Sequence, residues 1–134
     1  MSATKYDFDI EQGSSFKISL IYKDSNKVVV DLTNWCARLT WRTNKAATQI
    51  FTTENTDASL YQFAIDGPNG KITLLIPAHT TNNFNFSYAN YDLELQSPDE
   101  IYSGGGKYTT RILFGVINII KRFSHGGNAL DCQT

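Results

Sequence analysis

The residues that could do chemistry are few, and their spacing limits what they could attempt. His79 and His125 are the only histidines. A histidine general base works between a nucleophile and an orienting acid, and neither histidine has a Cys, Asp or Glu near it in sequence. Both read as surface residues, His79 in a turn and His125 beside Gly126. Asp7, Asp9 and Glu11 recur at every second position, so they share one strand face, where they could gather a cation or act as an acid pair. Outward charges that keep an edge strand soluble account for them better. Ser103–Lys107, SGGGK, has the glycines and lysine of a phosphate cradle. That cradle requires Gly-x-x-x-x-Gly-Lys-Ser/Thr opening a helix, whereas a β-rich run follows here and a hairpin tip is expected. Asn85-Phe86-Ser87 fits a glycosylation sequon, but residues 1–10 show no apolar core ahead of a small-residue cleavage site, so no secretory signal is expected.

Cys36 and Cys132 are too few for a disulfide framework, and neither has a Cys or His at metal-ligand spacing. Free thiols made in a reducing cytoplasm are expected. With no paired acids, triad or ligand set, the sequence predicts a non-enzymatic protein with no catalytic residue, no cofactor and no metal.

Function then rests on surfaces, and strands must shape them. The phrases EQGSSFKISLIY, VVVDLTNWCARLTWR, GKITLLIP, YDLELQSPDE and RILFGVINI alternate apolar and polar residues over short runs with turn residues between them. Such runs are half-buried strands of an all-β antiparallel β-sandwich. A length of 134 residues suits one domain, with 41% hydrophobic and 19% charged residues and a net charge of -1. Twelve Lys and Arg are scattered among thirteen acids. They form no basic stripe, so nucleic acid is not an expected partner. No run approaches the roughly 18 apolar residues of a membrane-spanning helix, so no membrane is expected either.

Read along the chain, strands are expected at Tyr6–Ile10, with Tyr6, Phe8 and Ile10 inward, and at Phe16–Tyr22. A brief one is expected at Val28–Leu32 and a long one at Trp35–Thr43. Alternation puts Trp35, Ala37, Leu39 and Trp41 on the inner face of the long strand and Cys36, Arg38, Thr40 and Arg42 on the outer. Cys36 is then either a rim thiol without a role or one covered by another subunit. Thr48–Thr53, Leu60–Ile65 and Lys71–Ile76 follow, and Pro77 stops the last of these. Ala78–Asn83 is expected to form one short helical crossover. Tyr88–Gln96 resumes alternation, SPDE reads as a turn, and Lys107–Ile120 is the final strand of a hairpin. No linker or internal repeat divides the sandwich, expected over 1–123, and the Gly-rich, polar residues 124–134 read as a flexible tail.

Aromatic residues make up 13% of the chain. Trp35 and Trp41 are expected in the core, whereas Tyr61, Phe84, Phe86, Tyr88, Tyr102 and Tyr108 fall in or near loops, where they could anchor a protein interface or stack on sugar. The final strand breaks the one-face rule. Leu113, Gly115, Ile117 and Ile119 form one set and Ile112, Phe114, Val116 and Ile120 the other, so both faces are apolar. Leaving the second set in water would be costly at roughly 25 cal/mol per Å². Either the chain's own crossover or a loop covers it, or another subunit does.

The five phrases, from Glu11 to Ile120, resemble the small immunoglobulin-like domains of phage baseplates and tail tips. That family carries a QGD-type phrase before its second strand, a DLTG phrase with an aromatic, a Gly-x-Ile/Leu-x-Leu strand, a threonine-rich turn, a Tyr-Asp-Leu-Glu-Leu strand and a closing Gly-x-Val-x-Val phrase. Here Ser14 and Ser15 follow Gly13 in place of an acid, Asn34 replaces the turn glycine, and residues 44–69 are longer than expected. A copy of this size, stopping soon after the sandwich, is most similar to the members that form collars in long-tailed coliphage tail tips. The resemblance implies an immunoglobulin-like sandwich and a virion structural role at the tail tip. The collar would be a homo-oligomeric ring that binds the tail, where side fibres attach, and the family carries no catalytic residues. The alternative is a β-sandwich module that binds carbohydrate or a host surface.

The expected partners are further copies of this chain and other tail-tip and side-fibre proteins. Candidates for subunit contact are Phe114, Val116 and Ile120, with Cys36 and Arg38 joining them if those strands are neighbours. Candidates for contact with a different protein are Tyr102, Gly104, Gly105, Gly106 and Phe123, with the tail beyond it.

Overall fold

Runs of alternating residues form the strands, and their register sorts them into two sheets. The computed structural model describes residues 3–55, 57–100 and 106–121. Its elements are β1 (Thr4–Lys5), β2 (Phe8–Glu11), β3 (Phe16–Ile21), β4 (Cys36–Thr43), β5 (Thr48–Thr52), β6 (Gln62–Asp66), β7 (Lys71–Ile76), α1 (Ala78–Thr81), β8 (Tyr88–Glu100) and β9 (Lys107–Ile120). The larger sheet runs β1-β9-β8-β4-β5, with β2 also on β9, and the smaller runs β3-β7-β6. Both β1 and β2 lie parallel to β9, and all other pairs are antiparallel. The fold is all-β and sandwich-like, with one helical turn, and no helix among the described residues is long and apolar enough to cross a membrane.

The core lies between the sheets. Ala37, Leu39 and Trp41 of β4 meet Leu93 and Leu95 of β8 and Ile117 of β9 on one side, and Phe63, Ile72, Leu74 and Ile76 close it from the smaller sheet. At one end Trp41 packs edge-on against Phe51 (4.7 Å between centroids) and Phe84 (5.4 Å), and Phe51 against Tyr61 (4.7 Å). Such geometry sets the positive ring edge against the negative face of its neighbour.

The crossover is fixed by one buried hydroxyl. Thr81 is fully buried; its Oγ1 donates to the Ser14 carbonyl (2.8 Å) and accepts the Gly13 N–H (3.1 Å). The Gln12 amide donates to the Phe84 carbonyl at 2.9 Å. These bonds pin the segment that carries the chain from β2 in one sheet to β3 in the other.

Several expectations need correction. Tyr6 is 50% exposed, because the first strand breaks at Tyr6–Asp7 into β1 and β2. Val28–Leu32 forms no strand, only an isolated bridge between Lys23 and Val29, although Leu32 is fully buried. SPDE is not a turn: β8 continues through it to Glu100 as a bulge, and the Ser97 hydroxyl accepts the Tyr108 N–H at 2.8 Å. Tyr61, Phe84 and Phe86 are core residues rather than loop platforms. Trp35, expected in the core, is half-buried and packs against the core, 6.3 Å from Tyr108.

Candidate interaction surface

The outer face of the larger sheet is where alternation leaves apolar side chains without a second layer. Inward positions of β4 are buried, which sends Cys36, Arg38, Thr40 and Arg42 outward. Register then builds rows across the sheet. Arg38 lies beside Glu94 and Glu94 beside Arg111; Thr40 beside Asp92, then Phe114, then Lys5; Arg42 beside Asn90, then Val116. Phe114 and Val116 are half-buried. They floor a depression of about 500 Å³ lined by Lys5, Arg42, Asn90, Asp92 and Arg111, all of this one sheet.

The depression is polar at its rim. The Arg111 guanidinium carbon sits 4.9 Å from the centre of the Phe114 ring, a cation–π contact that shields part of the ring. Arg38 Nη2 pairs with Glu94 Oε1 at 2.9 Å, and that hydrogen bond raises the Arg38 pKa above its usual value. An exposed pair of this kind contributes little to stability. Burial pushes the Asp92 carboxyl up, helped by Glu94 and opposed by Arg111 and Arg38.

A bulge alters the second face expected for β9. Leu93 lies opposite Leu113 but Glu94 lies opposite Arg111, so Ile112 is an extra residue. A bulge resets the alternation, and Ile112 turns into the core, 8% exposed. The outer set is therefore Phe114 and Val116, with Ile120 at the far end beside Glu11 and 45% exposed. Cys36 and Arg38 are not neighbours of that set, because β8 separates β4 from β9. Cys36 is half-buried, its Sγ 3.8 Å from Gln96 Oε1.

The other singled-out residues have mostly structural partners. His79 Nε2 lies 2.6 Å from the Ser59 carbonyl oxygen, and Thr80 Oγ1 donates to the Leu60 carbonyl, so the helical turn holds the loop before β6. Asp7 Oδ1 accepts the Val116 N–H at 2.8 Å, and Asp9 Oδ1 lies 3.4 Å from Asn118 Nδ2. Among the described residues, no three His, Cys, Asp or Glu side chains gather as a metal site. Gly106 opens β9 with φ +75°, a left-handed backbone that favours glycine. Tyr102, Gly104, Gly105, Phe123, His125, Cys132 and the tail lie outside the described residues.

One junction carries a signal that sequence reasoning passed over. Gly115 interrupts an otherwise apolar strand, and a glycine there marks close approach of another backbone. A Cβ at Gly115 would collide with the Tyr6 carbonyl oxygen and lie 2.6 Å from Asp7 Oδ1. Tyr6 N–H donates to the Phe114 carbonyl (2.8 Å), and the Tyr91 hydroxyl donates to the Tyr6 carbonyl (2.5 Å). Burial, with smaller contributions from Asp7 and Tyr6, pushes the Tyr91 hydroxyl up to about 12. This junction holds Lys5 and the acids of β2 in place along the edge of the outer face. No protein-family model matches the chain, and no curated protein matches it either.

Proposed function

We propose that the protein is a non-enzymatic structural subunit of a phage tail tip, made in the host cytoplasm and built into the virion. In this reading it is an immunoglobulin-like collar domain that closes a ring of identical copies, binds the tail and anchors side fibres. The observation that supports it is the strand order, β3-β7-β6 in one sheet and β9-β8-β4-β5 in the other. In this reading β3, β7 and β6 would correspond to strands B, E and D of an immunoglobulin-like domain, and β4, β8 and β9 to C, F and G, with β5 added beside β4.

The outer face supports a binding role. Phe114 and Val116 offer an apolar floor inside a charged rim, the arrangement of interface cores in general. A heterologous contact repeated around an axis closes a ring, and many linked weak contacts hold as one strong one. Tyr61, Phe84 and Phe86 are core residues, so among the described residues the sugar-binding alternative rests on exposed Tyr88 and Tyr108.

Negative-stain electron microscopy of the concentrated protein tests the proposal. Closed annular particles of one size are expected. Isolated single domains throughout, with retention of the protein on a glycan array, would instead favour the binding module.

A further inference from the structure

β1 and β2 follow one another along the same edge of β9 and are held there by different forces. β2 is anchored by burial. Ile10 is fully buried, and the Phe8 ring stacks on Phe16 (5.1 Å) and meets Tyr91 edge-on (5.0 Å). β1 and the break after it lack such an anchor, because Thr4, Lys5, Tyr6 and Asp7 are all exposed. Their fastenings are polar. Thr4 pairs with Leu113 and Lys5 with Phe114, the Tyr6 N–H donates to the Phe114 carbonyl, and the Asp7 carboxylate accepts the Val116 N–H. The Tyr91 hydroxyl, on a side chain 4% exposed, donates to the Tyr6 carbonyl from below. The same short strand is also a wall. Lys5 lines the outer-face depression, while Thr4 lines a cleft of about 310 Å³ between β3 and β9, beside Leu20, Ile112 and Leu113.

We propose that residues 4–7 are a strap that swings off β9 as one unit while β2 stays docked, with the Tyr91 hydroxyl as its catch. A hydrogen bond taken from water contributes little net, and ordering a residue costs about as much. Without apolar burial to add to these bonds, the strap belongs at the low end of the molecule's opening energies. Opening frees the Phe114 carbonyl and the Val116 N–H on the β9 edge and removes the wall between the depression and the cleft. The outer face thus has two forms, one walled by Lys5 and one ending in a free strand edge beside Phe114. That consequence for recognition rests on the outer face being the assembly surface; the motion does not.

Amide hydrogen exchange by NMR tests the strap, because three amides report on one edge of β9. Tyr6 and Val116 should show equal protection, at least about tenfold below that of Gln12, whose N–H donates to the Ile120 carbonyl at 2.9 Å past the end of β2. Low urea should leave protection at Tyr6 and Val116 almost unchanged and lower it at Gln12, since the urea dependence scales with the surface exposed on opening. Tyr91→Phe should cut protection at Tyr6 and Val116 by about twofold to tenfold, the loss of one hydrogen bond. Equal protection and urea dependence at all three amides would make β1 and β2 one unit and overturn the strap. Greater protection at Val116 than at Tyr6 would mean gradual fraying and overturn it too. A Tyr91→Phe variant with unchanged protection overturns the catch. The readout lies within one copy, so these outcomes do not depend on whether copies assemble.

Discussion

The two faces of the larger sheet follow the same strands and yet differ in kind. Inward, Leu39, Trp41, Leu93, Leu95 and Ile117 are almost wholly removed from water. Outward, the rows crossing the same strands set Phe114 and Val116 among Lys5, Arg42, Asp92 and Arg111. Burial of the first set drives folding, since stabilisation scales with the apolar area removed from water. The second set is only partly buried, and its charges would be poor core material. The core and the proposed recognition surface thus lie on opposite sides of one layer.

The largest effect should come from the inner face. Trp41→Ala removes the centre of the aromatic cluster with Phe51, Phe84 and Phe86, and urea unfolding should show a loss of about 3–5 kcal/mol. Next is the junction that ties the N-terminal strands to β9. Gly115→Ala forces the Tyr6–Asp7 backbone away, at about 1–3 kcal/mol as for other overpacked sites. Hydrogen exchange should then speed up in residues 4–11 ahead of the rest of the sheet. Thr81→Val leaves the Gly13 N–H without its acceptor and the Ser14 carbonyl without its donor. Its expected cost is about 1–3 kcal/mol in thermal unfolding.

A pH experiment isolates the same junction. Tyr91 has a folded-state pKa of about 12 against an ordinary value of 10.0. Because the folded value is the higher, its contribution is complete below pH 10 and is lost as the pH rises from 10.0 to about 12. Ionisation also removes the proton donated to the Tyr6 carbonyl. Urea midpoints should fall across that window, and Tyr91→Phe should flatten the fall. The smallest effect on folding belongs to the outer face. Phe114→Ser with Val116→Ser should change stability by no more than about 1 kcal/mol, near the range of surface substitutions, while weakening assembly.

How much of this could be read from the chain depends on whether a feature is local. Alternation is local, so β3, β4 and β7 appear in the sequence with the correct inward sets, β9 appears with all but Ile112 assigned as found, and the turn of α1 follows from Pro77 and its neighbours. Ile112 went astray because a bulge is set by pairing with β8, not by the residues of β9 themselves. Tyr61, Phe84 and Phe86 lie in or beside segments without periodicity, where nothing local says that Phe51 and Trp41 will gather them. Cys36 and Arg38 could be assigned to the outer face but not placed relative to Phe114, because strand order is a long-range property. The acidic edge was visible as Asp7, Asp9 and Glu11.

The central claim is that the outer face of the larger sheet assembles copies of this chain while the inner face folds each one. Native mass spectrometry of the parent and of the Phe114→Ser, Val116→Ser variant, over a wide concentration range, tests it most directly. A discrete oligomer for the parent and a monomer for the equally stable variant is the predicted result. A parent that stays monomeric at the highest concentration, or a variant that assembles as the parent does, would contradict it.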